Sequence, residues 1–462
     1  MRIRFLGAVR EVTGSLIHLS SDTTEIIVDC GMHQGMGAEN LNRAPFNFDP
    51  TRIEYLILTH AHLDHSGLIP KLVREGFKGK IFATSATRDL TEIILLDSAH
   101  IQEKDAEWLT KKNLRKGKEK IVEPLYTTQD VLRALPYFEK VPYGEIVEIK
   151  DGIRFRFLDA GHILGSATIE LCYRSCPEGK KKKIVFSGDI GKSGNPLIRD
   201  PSFLEDADYV CIESTYGDRL HKDLSKTVEE LEDAVSTTLK NGGNVLIPAF
   251  SVGRTQDVLF FLHKLAKEGR LKNLNIFVDS PLAEKATKVY LSHVEVLEED
   301  LDLSFLYKSS ENYNLHFTSS VEESQKINSI KQGAIIIAGS GMCEGGRIRH
   351  HFKHNIWRRE CSVIFTGFQA KGTLGRLIVD GAKKAKILGE EIAIRSKIYT
   401  IGGFSAHGDQ RELINWLKKL KGSPEIFIIH GEEKASLELE KKIIENFNFL
   451  THVPARGDQY ML

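Results

Sequence analysis

What this sequence lacks narrows it before any motif does. Its six cysteines (Cys30, Cys172, Cys176, Cys211, Cys343, Cys361) are scattered and form no CxxC pair. That excludes a disulfide framework and a cysteine zinc site, and leaves reduced, mostly buried thiols. No apolar run approaches the ~20 residues a membrane helix needs. The opening MRIRFLGAVREVTGS has neither the apolar core nor the cleavage site of a signal peptide, so the expectation is a cytoplasmic chain with no membrane contact. Net charge is missing as well, since 63 basic residues balance 63 acidic ones. A nucleic-acid partner therefore needs a local basic surface. Three short stretches are basic: KKNLRKGKEK at 111–120, Lys180 to Lys183, and GRIRHHFKHNIWRR at 346–359. The first reads as a solvated helix face and the second as a hairpin turn.

What is present is a core-forming chain of 462 residues, 41% of them hydrophobic, long enough for two to three domains. Short apolar strands dominate the first 215 residues, broken by one long helical pattern from Thr87 to Asn113. After Thr215 the texture changes. Strands such as NVLIPAF, NIFVDS, AIIIAGS and CSVIFTG alternate with helices, the pattern of a parallel sheet covered on both faces. From about residue 390 short strands return, then a helix, PEIFIIHGE, a last helix and THVPARGD.

The densest chemistry lies in LTHAHLDHSG at 58–67, where an apolar run ends in His60, His62, Asp64 and His65. A strand that enters a loop points His60 and His62 to one side, since side-chain direction repeats every two residues, so the two can share a metal. Asp64 and His65 lie close enough for a second ion, and carboxylate beside imidazole suits zinc or manganese. Further ligand-type residues end other apolar runs: His162 in DAGHILGSA, Asp189 in VFSGDIG and His430 in IIHGEE. Strand ends on a rigid scaffold are where active-site groups collect.

Taken in order, HAHLDHSG, GHILGSA, SGD, ESTYGDR, FSAH and HGE resemble the motifs of the metallo-β-lactamase fold nucleases of the β-CASP group, over nearly the whole chain. The resemblance implies an α/β fold: a metallo-β-lactamase αββα sandwich with an inserted Rossmann-like β-CASP domain. The sandwich is placed at 1–212 and 388–462 and the insertion at 213–387. It further implies two zinc ions, one on His60, His62 and His162, the other on Asp64, His65 and His430, with Asp189 bridging. Asp29, ending EIIVDCG, matches a motif whose carboxylate supports the ligands through hydrogen bonds.

The implied activity is hydrolysis of phosphodiester bonds in single-stranded RNA, in RNA processing or decay. A water between two zinc ions loses a proton near neutral pH. Asp64 belongs to that catalytic centre, His407 in FSAH is the implied acid for the leaving 3′ oxygen, and Glu213 in ESTYGDR orients it. The run AIIIAGSGMCEGGRIRH lacks nucleotide-motif spacing and resembles the family's phosphate-holding loop, with Ser340, Gly341 and Met342 as contacts. Arg254 and Arg376, in two further loops, are candidates for phosphate binding or for salt bridges. His430 favours RNA over DNA, because DNA-directed relatives tend to carry an apolar residue there. Endonucleolytic cleavage is the leading reading. A 5′ exoribonuclease of the RNase J type and a metallo-β-lactamase fold hydrolase of another ester are the alternatives, and a homodimer is compatible with the sequence.

Overall fold

The computed structural model describes residues 1–35, 37–174, 181–299, 301–367, 369–370 and 372–462. Cys176, Lys180 and Lys371, the last in the loop before Arg376, lie outside the described residues. The chain divides into two compact units, Met1–Leu220 with His407–Leu462, and His221–Ala406.

The first unit holds two seven-stranded sheets. In one, Arg2–Gly7, Leu16–Ser20, Glu25–Val28, Tyr55–Ile57, Lys80–Ala83 and Phe138–Lys140 follow in chain order, and the last strand, Gln459–Met461, closes the far edge against Arg2–Gly7. In the other, Glu425–Ile429 lies beside Tyr209–Glu213, which is followed by Lys181–Phe186, Ala167–Arg174 and Arg154–Asp159. The sheets face each other because their strands alternate in apolar residues on both sides. Phe5, Ile17, Ile26 and Phe82 of the first pack with Phe155, Ile169, Phe186 and Phe427 of the second in one core. Ile27, Leu56 and Ile81 turn the other way, against helix residues Leu72, Leu95 and Val131. On the second sheet Val210, Ile212 and Ile428 do the same against Leu413, Trp416 and Leu439. The result is four layers, helix, sheet, sheet, helix, as expected of an αββα sandwich.

The second unit is a six-stranded sheet in which every pairing is parallel, with Val245–Pro248, Ala334–Ala338 and Ser362–Phe365 at its centre. The central strands are buried along their whole length, which is why they read as unbroken apolar runs. Contacts divide the units at 220/221 and 406/407, whereas the resemblance placed the breaks at 212/213 and 387/388. The later second break has a physical cause: Lys397–Thr400 pairs in parallel with Ser362–Phe365 and extends the inserted sheet. Among the described residues no helix is long and apolar enough to cross a membrane.

Candidate metal centre and active site

Six loops at strand ends of the first unit deliver the side chains. Asp29 follows Glu25–Val28, His60 follows Tyr55–Ile57, His162 follows Arg154–Asp159, Asp189 follows Lys181–Phe186, Glu213 ends its strand, and His430 follows Glu425–Ile429. The approach of His60 to His62 does not come from strand alternation. The strand ends at Ile57, and His62 caps the short helix Leu63–Ser66. The turn brings His60 Nε2 to within 3.1 Å of His62 Nδ1. It is held from outside by Ser15 N–H, which donates to Asp64 O at 2.7 Å. Only glycine fits at Gly31 beside it, since a Cβ there would lie 1.7 Å from that oxygen.

Ligand atoms of His60, His62, His162 and Asp189 lie within 4.8 Å of one another, as do those of Asp64, His65 and His430. Asp189 faces both sets. Its Oδ2 is 3.4 Å from His60 Nε2 and 3.5 Å from His162 Nε2, while Oδ1 is 3.4 Å from His65 Nε2 and 3.5 Å from His430 Nδ1. Asp64 Oδ2 lies 3.6 Å from His430 Nε2.

The protons on these rings follow from the hydrogen bonds. His65 Nδ1 donates to Asp29 Oδ2 at 2.7 Å, leaving Nε2 with its lone pair. Thr59 Oγ1 donates its single proton to the Asp29 carboxylate, so at 3.1 Å it accepts from His60 Nδ1, and His60 Nε2 is bare as well. Thr215 Oγ1 donates to His430 O and accepts from His430 Nδ1 at 3.2 Å, which leaves His430 Nε2 bare. That nitrogen faces His65 Nε2 at 3.1 Å. Two lone pairs so placed repel unless a cation, a proton or a metal ion, lies within reach of both, and, against burial, the Asp189 and Asp29 carboxylates hold His65 well above the usual imidazole range.

The spacings fit such a cation. Zinc–nitrogen bonds of ~2.05 Å in a tetrahedron separate the donors by about 3.3 Å, close to the separations found here. Asp189 Oδ1 is buried and accepts no hydrogen bond, an uncompensated anion if nothing positive sits beside it. The donor set of imidazoles and carboxylates is one that binds zinc.

Electrostatics agree with a cation site. Burial, and then neighbouring His65, hold His60 well below the usual imidazole range. Burial raises Asp64, but the surrounding imidazoles of His430, His65 and His62 outweigh it and bring the carboxyl down to about 2. For His407, burial lowers the ring and the Glu213 and Asp189 carboxylates more than reverse this, raising it to about 9.

His407 adjoins the first set, its Nδ1 3.9 Å from Asp189 Oδ2, and ligand atoms of Asp189, Glu213 and His407 also lie within 4.8 Å of one another. Its Nδ1 bonds both oxygens of Glu213 at 3.1 and 3.2 Å, and its side chain is 21% exposed, whereas Glu213 is fully buried. Glu213 is fixed in turn by Ile190 N–H at 2.6 Å. This is a tethered imidazole with one edge toward solvent.

The remaining candidates belong to the second unit. Ser340, Gly341 and Met342 lie in the turn between Ala334–Ala338 and helix Ile348–Asn355, closed by Gly345 N–H donating to Ser340 Oγ at 3.2 Å. Gly346 has φ 73°, and a Cβ there would meet Gly339 O at 2.2 Å. Buried Asp279 anchors the turn's exit, accepting from Arg347 Nη1 at 2.6 Å and bonding His351 Nε2 at 2.7 Å. Arg376 is ion-paired with Asp380 at 2.8 Å on its own helix, and Arg254 is buried at a helix start. Sequence reasoning missed Thr59, Thr215 and Asp279. A threonine beside a ligand histidine gave no signal of its own.

Comparison with known proteins follows this geometry. Residues 9–237 match the metallo-beta-lactamase superfamily, 255–378 the Beta-Casp domain, and 391–454 the Zn-dependent metallo-hydrolase RNA specificity domain. Ribonuclease TTHA0252 of Thermus thermophilus is 37% identical over 96% of this chain and 95% of its own length. An RNase J-like protein of Methanocaldococcus jannaschii is 32% identical, covering 98% of each. Transcription termination factor FttA of the same organism is 32% identical over 99% of this chain and 71% of its own. A crystal structure of a protein of unknown function from Enterococcus faecalis V583 shares the fold, with a TM-score of 0.57 at 11% identity over 100% of this chain and 99% of that one.

Proposed function

The chain belongs to the β-Casp group of the metallo-β-lactamase superfamily, and from that premise we propose that it is a cytoplasmic, zinc-dependent endoribonuclease acting on single-stranded RNA. One observation carries the reading: Asp189 presents one carboxylate oxygen to each of two separate histidine-rich sets. His60, His62 and His162 would hold one ion, Asp64, His65 and His430 the other, and Asp189 would reach both. When bound, such a pair supplies Lewis acidity, lowering the pKa of water and neutralising phosphoryl charge.

The chain's own residues supply the rest. Asp29, Thr59 and Thr215 fix the ring tautomers so that bare nitrogens face inward. Glu213 holds His407 through Nδ1, which leaves Nε2 to deliver a proton to the leaving 3′ oxygen, a contribution of about 10²- to 10⁴-fold. No side chain need act as nucleophile, and the RNA 2′-hydroxyl takes no part. The products are therefore a 5′-phosphate and a 3′-hydroxyl. In the second unit the turn at Ser340, Gly341 and Met342 would face RNA phosphates through the backbone N–H groups of Gly341 and Met342, since Ser340 N–H donates to Gly345 O at 3.2 Å, with Arg254 and Arg376 as weaker candidates, since one is buried and the other paired.

The test is product mapping on an end-labelled single-stranded RNA carrying either a 5′-monophosphate or a 5′-hydroxyl. Internal cuts on both are expected. A ladder from the 5′ end that requires the monophosphate would make the enzyme an RNase J-type exonuclease. Ends in 2′,3′-cyclic phosphate would refute the mechanism, and faster turnover of a thioester than of RNA would refute the substrate class.

A further inference from the structure

The 31-residue helix Ser85–Arg115 behaves differently along its length. Its first half packs through Leu90, Ile94, Leu95 and Ala99. Its start is tied to the loop bearing His162, because the hydroxyls of Thr84 and Thr87 both donate to Gly165 O at 2.7 Å. Beyond Ala106 every residue of the helix is exposed or half-buried. That end is nonetheless built. Val122 N–H donates to Thr110 Oγ1 at 2.9 Å and Asn113 Nδ2 to Lys120 O at 3.1 Å, folding the returning chain against the helix tip.

The tip sets an aromatic ring among cations. Trp108 is 58% exposed, and the spacing of 108, 111, 112 and 115 puts Trp108, Lys111, Lys112 and Arg115 along one face. Lys112 Nζ lies 4.5 Å from the Trp108 ring centroid. Lys104, one turn back, is already paired with Glu107 at 3.6 Å. From 104 to 120 there are seven basic and three acidic residues, in a chain whose net charge is zero.

We propose that this face binds the single-stranded RNA that runs on from the scissile phosphate, with Trp108 stacking on a base and Lys111, Lys112 and Arg115 holding phosphates. The proposal rests on the ribonuclease reading above. Every base offers a π-face to an aromatic ring, and cations flanking the ring meet the backbone on either side of the stacked base. A second copy of the chain is the competing occupant, and charge argues against it. A two-fold contact would set the same lysines opposite one another. From Thr87 to Trp108 the helix runs about 32 Å, the length of roughly nine nucleotides at stacked spacing. Short RNA therefore cannot touch both the metal centre and the tip.

The experiment measures steady-state cleavage of an RNA of about 30 nucleotides, a hexamer and bis(p-nitrophenyl) phosphate by wild type, Trp108→Ala and the double variant Lys111→Glu with Lys112→Glu. Both variants should raise KM for the long RNA by about tenfold, with kcat, hexamer cleavage and ester hydrolysis unchanged. The double variant should also lower the slope of log KM against log salt by about two. If wild type cleaves both RNAs and the variants leave the long one unchanged, or weaken both alike, this inference falls and the ribonuclease reading survives. If wild type cleaves no RNA, the ribonuclease reading falls. Anisotropy of the labelled long RNA then judges the face alone, and equal affinity for wild type and Trp108→Ala overturns it. A dimer that Trp108→Ala dissociates in sedimentation would also overturn it.

Discussion

At His407 the Nδ1 atom is committed to Glu213, whereas His430 turns Nε2 toward His65, so replacing the two rings should have opposite consequences. His407→Ala is expected to cut RNA cleavage by about 10²-fold or more while zinc content stays near wild type. His430→Ala is expected to lose close to one zinc per chain, read by metal analysis. Loss of zinc from His407→Ala would make that ring a ligand instead. Thr59→Val removes the hydroxyl that joins Asp29 to His60 while keeping the shape. It should weaken metal binding by roughly 10- to 100-fold with the fold intact by circular dichroism. The clustered histidines and aspartates that could hold metal were legible in the sequence because they end apolar runs and four of them crowd into six positions. Thr59 and Thr215 were not, because a hydroxyl becomes a ring-orienting group only when tertiary packing brings it to the imidazole.

Among elements, the turn from Gly339 to Arg347 depends on a carboxylate far from it in sequence. Asp279 takes hydrogen bonds from Thr318, Ser324 and Arg347 and bonds His351. Burial alone would raise Asp279, but these partners hold its carboxyl well below the ordinary 3.8. A carboxylate depressed in the folded state stabilises above its unfolded pKa, and that stability is lost as pH falls below about 4. Asp279→Ala strands Arg347 and His351 and should destabilise the second unit by about 3–5 kcal/mol in denaturant unfolding. Asp279→Asn should flatten the acid-side loss of stability, and an unchanged profile would refute the assignment. Sequence pattern revealed the parallel sheet here, because strands buried on both faces are apolar throughout. The pairing of Lys397–Thr400 with the inserted sheet was not legible, because a strand of half-buried and exposed residues looks like any edge strand until its partner is known.

For the molecule as a whole, the residues proposed to hold metal are confined to one of two compact units, so metal should stabilise that unit selectively. Calorimetry is expected to show two transitions, with a chelator lowering only the one that carries the metal centre. At a thousandfold excess over Kd the bound ion accounts for about 4 kcal/mol. A chelator that moved both transitions together, or neither, would contradict this.

The strand Glu425–Ile429 lies in parallel register against Tyr209–Glu213, although the whole inserted unit separates them along the chain. Closing so wide a loop is entropically costly, and it becomes cheaper if the insertion has already folded and drawn its two ends in. On the ribosome, residues bearing His60, His62, Asp64, His65, His162 and Asp189 emerge long before His430. The proposed metal centre is thus completed only when the strand Glu425–Ile429 is made and seated. A nascent chain that has not yet made Glu425–Ile429 and His430 is an incomplete hydrolase, and cleaving activity appears only after that strand is in place.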